Sequence, residues 1–168
     1  IKLTLLLFLF NSAYAEMVKN IVINGNKRIS DETIILFGEI KKNEIYKDID
    51  LNNVLKKLYK TDFFETVQIE LNNNQLILKV KENPIVQSVK FEGLKNKSLL
   101  ELLNKNIIVK EKNSFIISSI KKDETKLINI LRLNGYYFSK IKTKIINNEN
   151  NTVDLIYEIN LGERAFIK

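Results

Sequence analysis

The fold of this chain is decided by a stretch that begins Ile23-Asn24-Gly25 and ends Leu76-Ile77-Leu78-Lys79-Val80, because its pattern occurs twice. The second copy begins Phe91-Glu92-Gly93 and ends Leu155-Ile156-Tyr157-Glu158-Ile159. Between these ends, each copy carries two helical patterns, a group of aromatic residues and an alternating strand. A tandem repeat of this kind sets the architecture, since each copy is one supersecondary unit.

Copy one predicts a strand followed by two helices. Ile21 and Ile23 share one face of the first strand. Ser30 is a candidate N-cap of the first helix, which we expect to end at Gly38. The second helix is expected to open at Asp50, because apolar residues follow it at helical spacing. These residues are Leu51, Val54, Leu55, Leu58 and Tyr59.

A hairpin completes the unit. Residues 66–71 alternate between apolar and polar side chains, and residues 72–74 are three asparagines that favour a tight turn. Residues 76–80 are almost continuously apolar, which predicts the central strand. We therefore predict an α+β fold of tandem β-α-α-β-β units, each with a three-stranded mixed sheet, strand three in its centre and both helices on one face.

Copy two predicts the same order, with a strand from Val86, helices near 98–104 and 116–133, and strands over 139–146 and 153–159. The aromatic residues Phe63-Phe64 and Tyr136-Tyr137-Phe138 are interpreted mainly as core, with a binding platform as the alternative. The other candidate core residues are Ile21, Ile23, Leu55, Leu58, Ile77 and Val80 in copy one, and Val89, Phe91, Ile120 and Leu131 in copy two. The buried face of strand three in copy one is left open by one residue.

The chain divides into four predicted segments. Residues 1–15 combine Lys2, an apolar run and Ala13-Tyr14-Ala15, which is the plan of a cleaved secretory signal peptide. Residues 16–83 and 84–162 are the two predicted domains, and residues 163–168 are expected to start a third unit. Glu82, Asn83 and Pro84 form a short inter-domain joint, which we expect to be semi-rigid because proline restricts the backbone.

Composition argues against an enzyme. The chain has no histidine and no cysteine, so it lacks the commonest general base, a thiolate metal site and a disulfide framework. The net charge of +7 is spread over many separated lysines with glutamates between them, which is typical of solvated faces. We predict no catalytic residues, no metal site and no cofactor.

The ordered set of motifs resembles the polypeptide-transport-associated (POTRA) domain. It comprises the strand and Asn-Gly turn, Asp50-Leu51-x-x-Val54-x-x-x-Leu58-Tyr59, Phe63-Phe64-x-x-Val67 and Val80-x-Glu82-Asn83-Pro84. The signal peptide and the direct tandem most resemble the start of the BamA-type outer-membrane protein assembly factors. One departure is Asp62, which stands where the family often has glycine before its aromatic pair.

The resemblance implies a non-catalytic scaffold in the periplasm, attached to the outer membrane through a C-terminal barrel beyond this sequence. Its implied partners are unfolded outer-membrane β-barrel proteins and accessory assembly lipoproteins, with no nucleic acid. One alternative is the POTRA region of another transporter, such as a two-partner secretion pore or a translocation and assembly module. A KH-like nucleic-acid module is a remote alternative, since the linker between the helices lacks the GxxG loop.

The candidate client-binding sites are the edges of the second strand in each copy. An unpaired edge can hold an extended peptide through main-chain hydrogen bonds, with little demand on its sequence. Lysines on the edge could instead serve to prevent strand pairing, and the sequence leaves both alternatives open. The predicted edge residues are Thr66, Val67, Gln68, Ile69 and Glu70 in copy one, and Lys140, Ile141, Lys142, Thr143 and Lys144 in copy two.

Overall fold

The structure, a computed structural model, describes residues 16–163 and divides into two compact units between Glu82 and Asn83. The predicted signal segment, and all of the predicted third unit except Glu163, lie outside the described residues. Unit one contains β1 (Glu16–Met17), β2 (Asn20–Asn24), α1 (Asp31–Gly38), β3 (Ile45–Tyr46), α2 (Asp48–Lys60), β4 (Phe64–Asn72) and β5 (Gln75–Glu82). Unit two contains β6 (Ile85–Glu92), α3 (Lys97–Asn106), α4 (Ile117–Leu133), β7 (Lys140–Asn148) and β8 (Thr152–Asn160).

Each unit has a three-stranded mixed sheet with its last strand in the centre, as predicted. The strand orders are β2-β5-β4 and β6-β8-β7. The first strand of each sheet runs parallel to the central strand, and the second runs antiparallel to it. The β4–β5 turn consists of Asn73 and Asn74, both with positive φ, as a two-residue type I′ turn requires.

The core of unit one lies between the helices and one face of the sheet. Ile34 of α1 and Leu58 of α2 are buried with Leu76 and Leu78 of the central strand in one cluster. Both helices therefore cover the same face, as predicted. Of the two clusters of buried residues in unit two, one is built in the same way from α3, α4 and β8, with Leu103, Leu131 and Tyr157 among its members. The other includes Ile120 and Leu155.

The central strand corrects one core prediction. Ile77 is only partly buried, whereas Leu76, Leu78 and Val80 are buried. Burial alternates along β5 because helices cover only one face of the sheet, so an apolar run does not mean that both faces are buried. The predicted core residues Leu58, Val80, Ile120 and Leu131 are buried. The others are partly buried against the two cores: Ile21, Ile23, Leu55, Val89 and Phe91.

The aromatic residues behave differently in the two units. Phe64 is buried and Phe63 packs against the core, so the core interpretation is right for copy one. In copy two it is wrong for two of the three aromatic residues, because Tyr137 is 57% and Phe138 65% exposed. Tyr136 packs against the core of unit two instead, because the segment between α4 and β7 is longer than its counterpart in unit one.

Helix ends also differ in detail from the prediction. Ser30 caps α1 as expected, with its Oγ accepting the Thr33 N–H at 3.3 Å. The first helix ends at Gly38 as expected, but the left-handed residue at that end is the next one, Glu39 (φ 51°). The second helix begins at Asp48 and not at Asp50, because the Asp50 carboxylate accepts the Lys47 N–H from inside the first turn.

Candidate strand-binding edges

The strand orders place all ten predicted binding residues on edge strands. Those of copy one lie on β4 and those of copy two on β7, each at one side of its sheet. The opposite sides are formed by β2 and β6, which the sequence reasoning did not consider as binding edges. Each three-stranded sheet therefore has two edges at which backbone N–H and C=O groups point away from the sheet, whereas the short strands β1 and β3 of unit one pair with each other in a separate two-stranded sheet.

The outward edge of β4 is occupied at one residue. Val67 donates its backbone N–H to the hydroxyl oxygen of Tyr59, at 3.0 Å, so this N–H does not face β5. Outward and inward residues alternate along an antiparallel edge strand, so Ile69 also points outward and Gln68 points toward β5. A proline substitution at Gln68 would therefore remove a hydrogen bond within the sheet, so it could not be used to test the outward edge.

The outward edge of β7 is occupied in its middle. Thr143 donates its backbone N–H to Glu124 Oε1 at 3.1 Å, and its hydroxyl donates to the same oxygen at 2.5 Å. The Thr143 N–H therefore points outward, as a binding edge requires, but a carboxylate of α4 already holds it. Lys142 and Lys144 are exposed on this strand, as a role of these lysines in preventing strand pairing requires.

The outward edge of β6 is occupied by a carboxylate from a loop. Val89 donates its backbone N–H to Glu111 Oε1 at 3.1 Å, from the segment between α3 and α4. Within residues 16–163, no side chain forms a hydrogen bond with the backbone of β2. Tyr59, Glu111 and Glu124, which we call the edge caps, thus hold outward N–H groups on three of the four edge strands of the two three-stranded sheets.

The predicted joint is short, and its first residue also makes hydrogen bonds within unit one. Only Asn83 and Pro84 separate β5 from β6. The Glu82 carboxylate is buried and faces unit one, where its Oε1 accepts the backbone N–H groups of Lys27, Arg28 and Ile29 at 2.8–2.9 Å. Glu82 therefore fixes the 27–29 segment, and the stiffness of the joint stays a prediction.

The pKa of Glu82 is set by two opposing effects. Burial by itself would raise the pKa, because it disfavours the charged carboxylate. The three backbone N–H groups and the positive charge of Arg28, whose Nη2 lies 3.7 Å from Oε2, outweigh that effect. The pKa of Glu82 therefore lies below its ordinary value, and the side chain is ionised at neutral pH.

A second buried carboxylate, Asp123, was missed by the sequence reasoning. It accepts the N–H groups of Ile108 and Val109 at 2.6 and 3.0 Å and the hydroxyl of Tyr157 at 3.0 Å. Burial, and then the charge of Asp123, raise the pKa of the Tyr157 hydroxyl, which therefore stays protonated as a donor. The available signal was an acidic residue on the apolar face of a predicted helix. These bonds give Asp123 a structural role.

Two further features bear on function. Across residues 16–163, no three histidine, cysteine or acidic side chains come together in a way that could hold a metal ion. The same part of the chain contains no helix with the length and apolar character needed to cross a bilayer.

The model of the POTRA family, described as surface antigen variable number repeat, matches residues 16–83 and 84–162. The BamA outer membrane protein assembly factor of Neorickettsia risticii (strain Illinois) is 34% identical over 90 residues, which are 54% of this chain and 12% of that protein. The BamA protein of Neisseria meningitidis serogroup B is 31% identical over 78 residues, which are 46% of this chain and 10% of that protein. The matched segments thus span only about a tenth of these relatives.

Solved structures show the same fold. The N-terminal domain of Omp85 from Thermosynechococcus elongatus matches 90% of this chain and 65% of its own length, with a TM-score of 0.57 and 13% identity. The POTRA1-3 segment of the periplasmic domain of Omp85 from Anabaena matches 90% of this chain and 63% of its own length, with a TM-score of 0.53 and 11% identity.

Proposed function

Because this chain belongs to the POTRA family, we propose that it is the periplasmic part of an outer-membrane β-barrel assembly factor, which holds unfolded barrel precursors and accessory lipoproteins before membrane insertion. The observation that carries the proposal is the match of both units to the POTRA model, together with the similarity to two BamA proteins. The protein itself would be located in the outer membrane, with these units in the periplasm and no catalytic role.

The sheet edges support this proposal chemically. A barrel precursor that has not yet folded consists of segments that form strands, and its backbone groups have no partners. A sheet edge supplies N–H and C=O groups at the spacing of a strand, so it can hold many different clients without a deep pocket. An interaction of a few hydrogen bonds stays weak, which permits release toward the membrane.

The test is a binding assay with one barrel protein in two states. The 168-residue protein is immobilised, and an outer-membrane barrel protein is added either unfolded, after dilution from urea, or folded in detergent micelles. We expect capture of the unfolded form only, and competition by a short peptide of alternating apolar and polar residues. Equal capture of the folded and unfolded barrel protein would refute the proposal. Stronger capture of single-stranded RNA than of the unfolded barrel would also refute it and would favour the nucleic-acid alternative.

A further inference from the structure

The four edges of the two three-stranded sheets are not equally available to an added strand. Tyr59, Glu111 and Glu124 hold outward N–H groups of β4, β6 and β7, whereas no side chain does so on β2 within the part of the chain that the structure describes. We propose that the β2 edge, formed by the outward backbone groups of Ile21 and Ile23, is the principal site for strand addition. This inference rests on the proposed function and moves its site from β4 and β7 to β2.

The repeat shows which groups of β2 point outward. Ile21 lies four residues before Gly25, as Val89 lies four residues before Gly93. Because the Val89 N–H points away from the sheet toward Glu111, the Ile21 N–H also points outward. Alternation places Ile23 on the same side, about 7 Å further along the strand. An extended backbone offers donors and acceptors at this spacing, so the partner is an unfolded polypeptide segment.

A single difference between the repeats explains why β2 has no cap. Asn43 and Lys112 have positive φ and donate their backbone N–H groups to the carbonyls of Val18 and Val86, respectively, so they are equivalent positions. The residue before Lys112 is Glu111, and the residue before Asn43 is Lys42. A lysine ammonium only donates hydrogen bonds, so Lys42 cannot accept a backbone N–H as Glu111 does.

The remaining edges are less available because a new strand must displace a cap. A net hydrogen bond between neutral groups changes an equilibrium constant by about 2- to 12-fold, and one to a charged group by about 10- to 150-fold. Tyr59 is a neutral cap and Glu111 and Glu124 are carboxylate caps. Strand addition is therefore expected to decrease in the order β2, β4, and then β6 and β7.

Disulfide trapping can test this order directly, because the chain contains no cysteine. Single exposed residues of the four edge strands are changed to cysteine in the 168-residue protein: Asn20→Cys, Gln68→Cys, Lys90→Cys and Lys142→Cys. The control is Lys56→Cys on the exposed face of α2. Each variant is mixed with a strand-forming peptide of about ten alternating valine and threonine residues with one central cysteine, in a glutathione redox buffer. We expect the highest yield at Asn20→Cys.

A swap of the two equivalent residues is the decisive variant pair. Lys42→Glu supplies a cap to β2 and should lower trapping at Asn20→Cys by about tenfold, whereas Glu111→Lys should raise trapping at Lys90→Cys by a similar factor. Glu124→Ala should raise trapping at Lys142→Cys in the same way. Glu124→Gln, which keeps an oxygen acceptor, should have a much smaller effect.

The outcomes separate the two proposals. If the disulfide yield is equal at all four edges, and the Lys42→Glu and Glu111→Lys variants do not change it, the inference about β2 is overturned and the proposed function stays in place. Trapping no greater than at Lys56→Cys for every edge, with no capture of unfolded barrel protein, would overturn both. Amide hydrogen exchange checks the caps without a ligand, since the Thr143 amide should exchange faster in Glu124→Ala but not in Glu124→Gln.

Discussion

Replacing Glu82 by alanine tests whether one buried carboxylate fixes the 27–29 segment of unit one. The change removes the acceptor of three backbone N–H groups, and the bond to Ile29 is the fully buried one. Lys27 and Arg28 can turn to water, but an unsatisfied buried N–H costs about 1 to 3 kcal/mol. With the loss of two charge-assisted bonds that are partly compensated by water, we expect a destabilisation of about 2 to 4 kcal/mol.

The assay is urea unfolding at pH 7 with hydrogen exchange of individual amides, which follows each unit separately. The amides of Leu76 and Leu78 report on unit one and that of Leu155 reports on unit two. Glu82→Gln keeps an oxygen acceptor and should lose about 1 kcal/mol. The matched control is Glu70→Ala on the same sheet, whose exposed ion pair with Lys79 is expected to contribute less than about 0.5 kcal/mol.

The pH dependence of the same variant provides an independent check. The folded-state pKa of Glu82 is lowered from the ordinary value of 4.5, so ionised Glu82 stabilises the fold. That contribution is complete above the unfolded-state pKa and is lost as the pH falls through the lower folded-state pKa. The difference in unfolding free energy between the native protein and Glu82→Ala should therefore shrink on acidification. If the unfolding free energies of the native protein and Glu82→Ala differ by less than about 0.5 kcal/mol at pH 7, Glu82 does not hold the segment.

Two further predictions concern the core and the repeated turn. Leu58→Ala should destabilise unit one by about 2 to 5 kcal/mol in urea unfolding, because Leu58 is fully buried. The control Leu36→Ala, at a residue that is 72% exposed, should destabilise it by less than about 0.5 kcal/mol. Equal losses of stability would show that the buried face of α2 is wrongly assigned. Gly93→Ala should lower the stability of the fold by about 2 to 5 kcal/mol, because φ is +85° and an added Cβ would lie 1.9 Å from the Ile159 carbonyl oxygen. Thermal unfolding followed by circular dichroism measures this loss, and a melting temperature equal to that of the native protein would refute it.

Local chemistry made much of the fold predictable. The repeat, the order of the helices and longer strands, and the central position of the third strand follow from apolar spacing and turn residues, which act over a few neighbouring residues. The two-residue strands β1 and β3 of unit one were not predicted. The positive φ at Asp62, at a position where the family often has glycine, also fits a residue type that tolerates this conformation better than most. Helix and strand ends were less predictable, as the start of α2 at Asp48 shows, because capping depends on side-chain hydrogen bonds.

The candidate site could be located only in part. The sequence alone placed the ten predicted residues on alternating strands, and their position at the edges follows from the central position of the third strand. Only the tertiary structure decided which outward N–H groups are already held, because the hydroxyl of Tyr59 and the carboxylate of Glu124 come from a neighbouring helix.

Contacts between residues far apart in the chain decided the rest. Glu82 and Ile29 are separated by 53 positions, and Asp123 and Tyr157 by 34, so no local pattern relates them. Which side of β5 is buried likewise depends on the face that α1 and α2 cover, and this left Ile77 partly exposed although it lies in an apolar run. Apolar spacing and turn chemistry act over short segments, so the sequence alone determines the two repeated units. Hydrogen bonds and packing join distant segments, so the tertiary structure is needed to decide which edges of the two three-stranded sheets are capped and which is not.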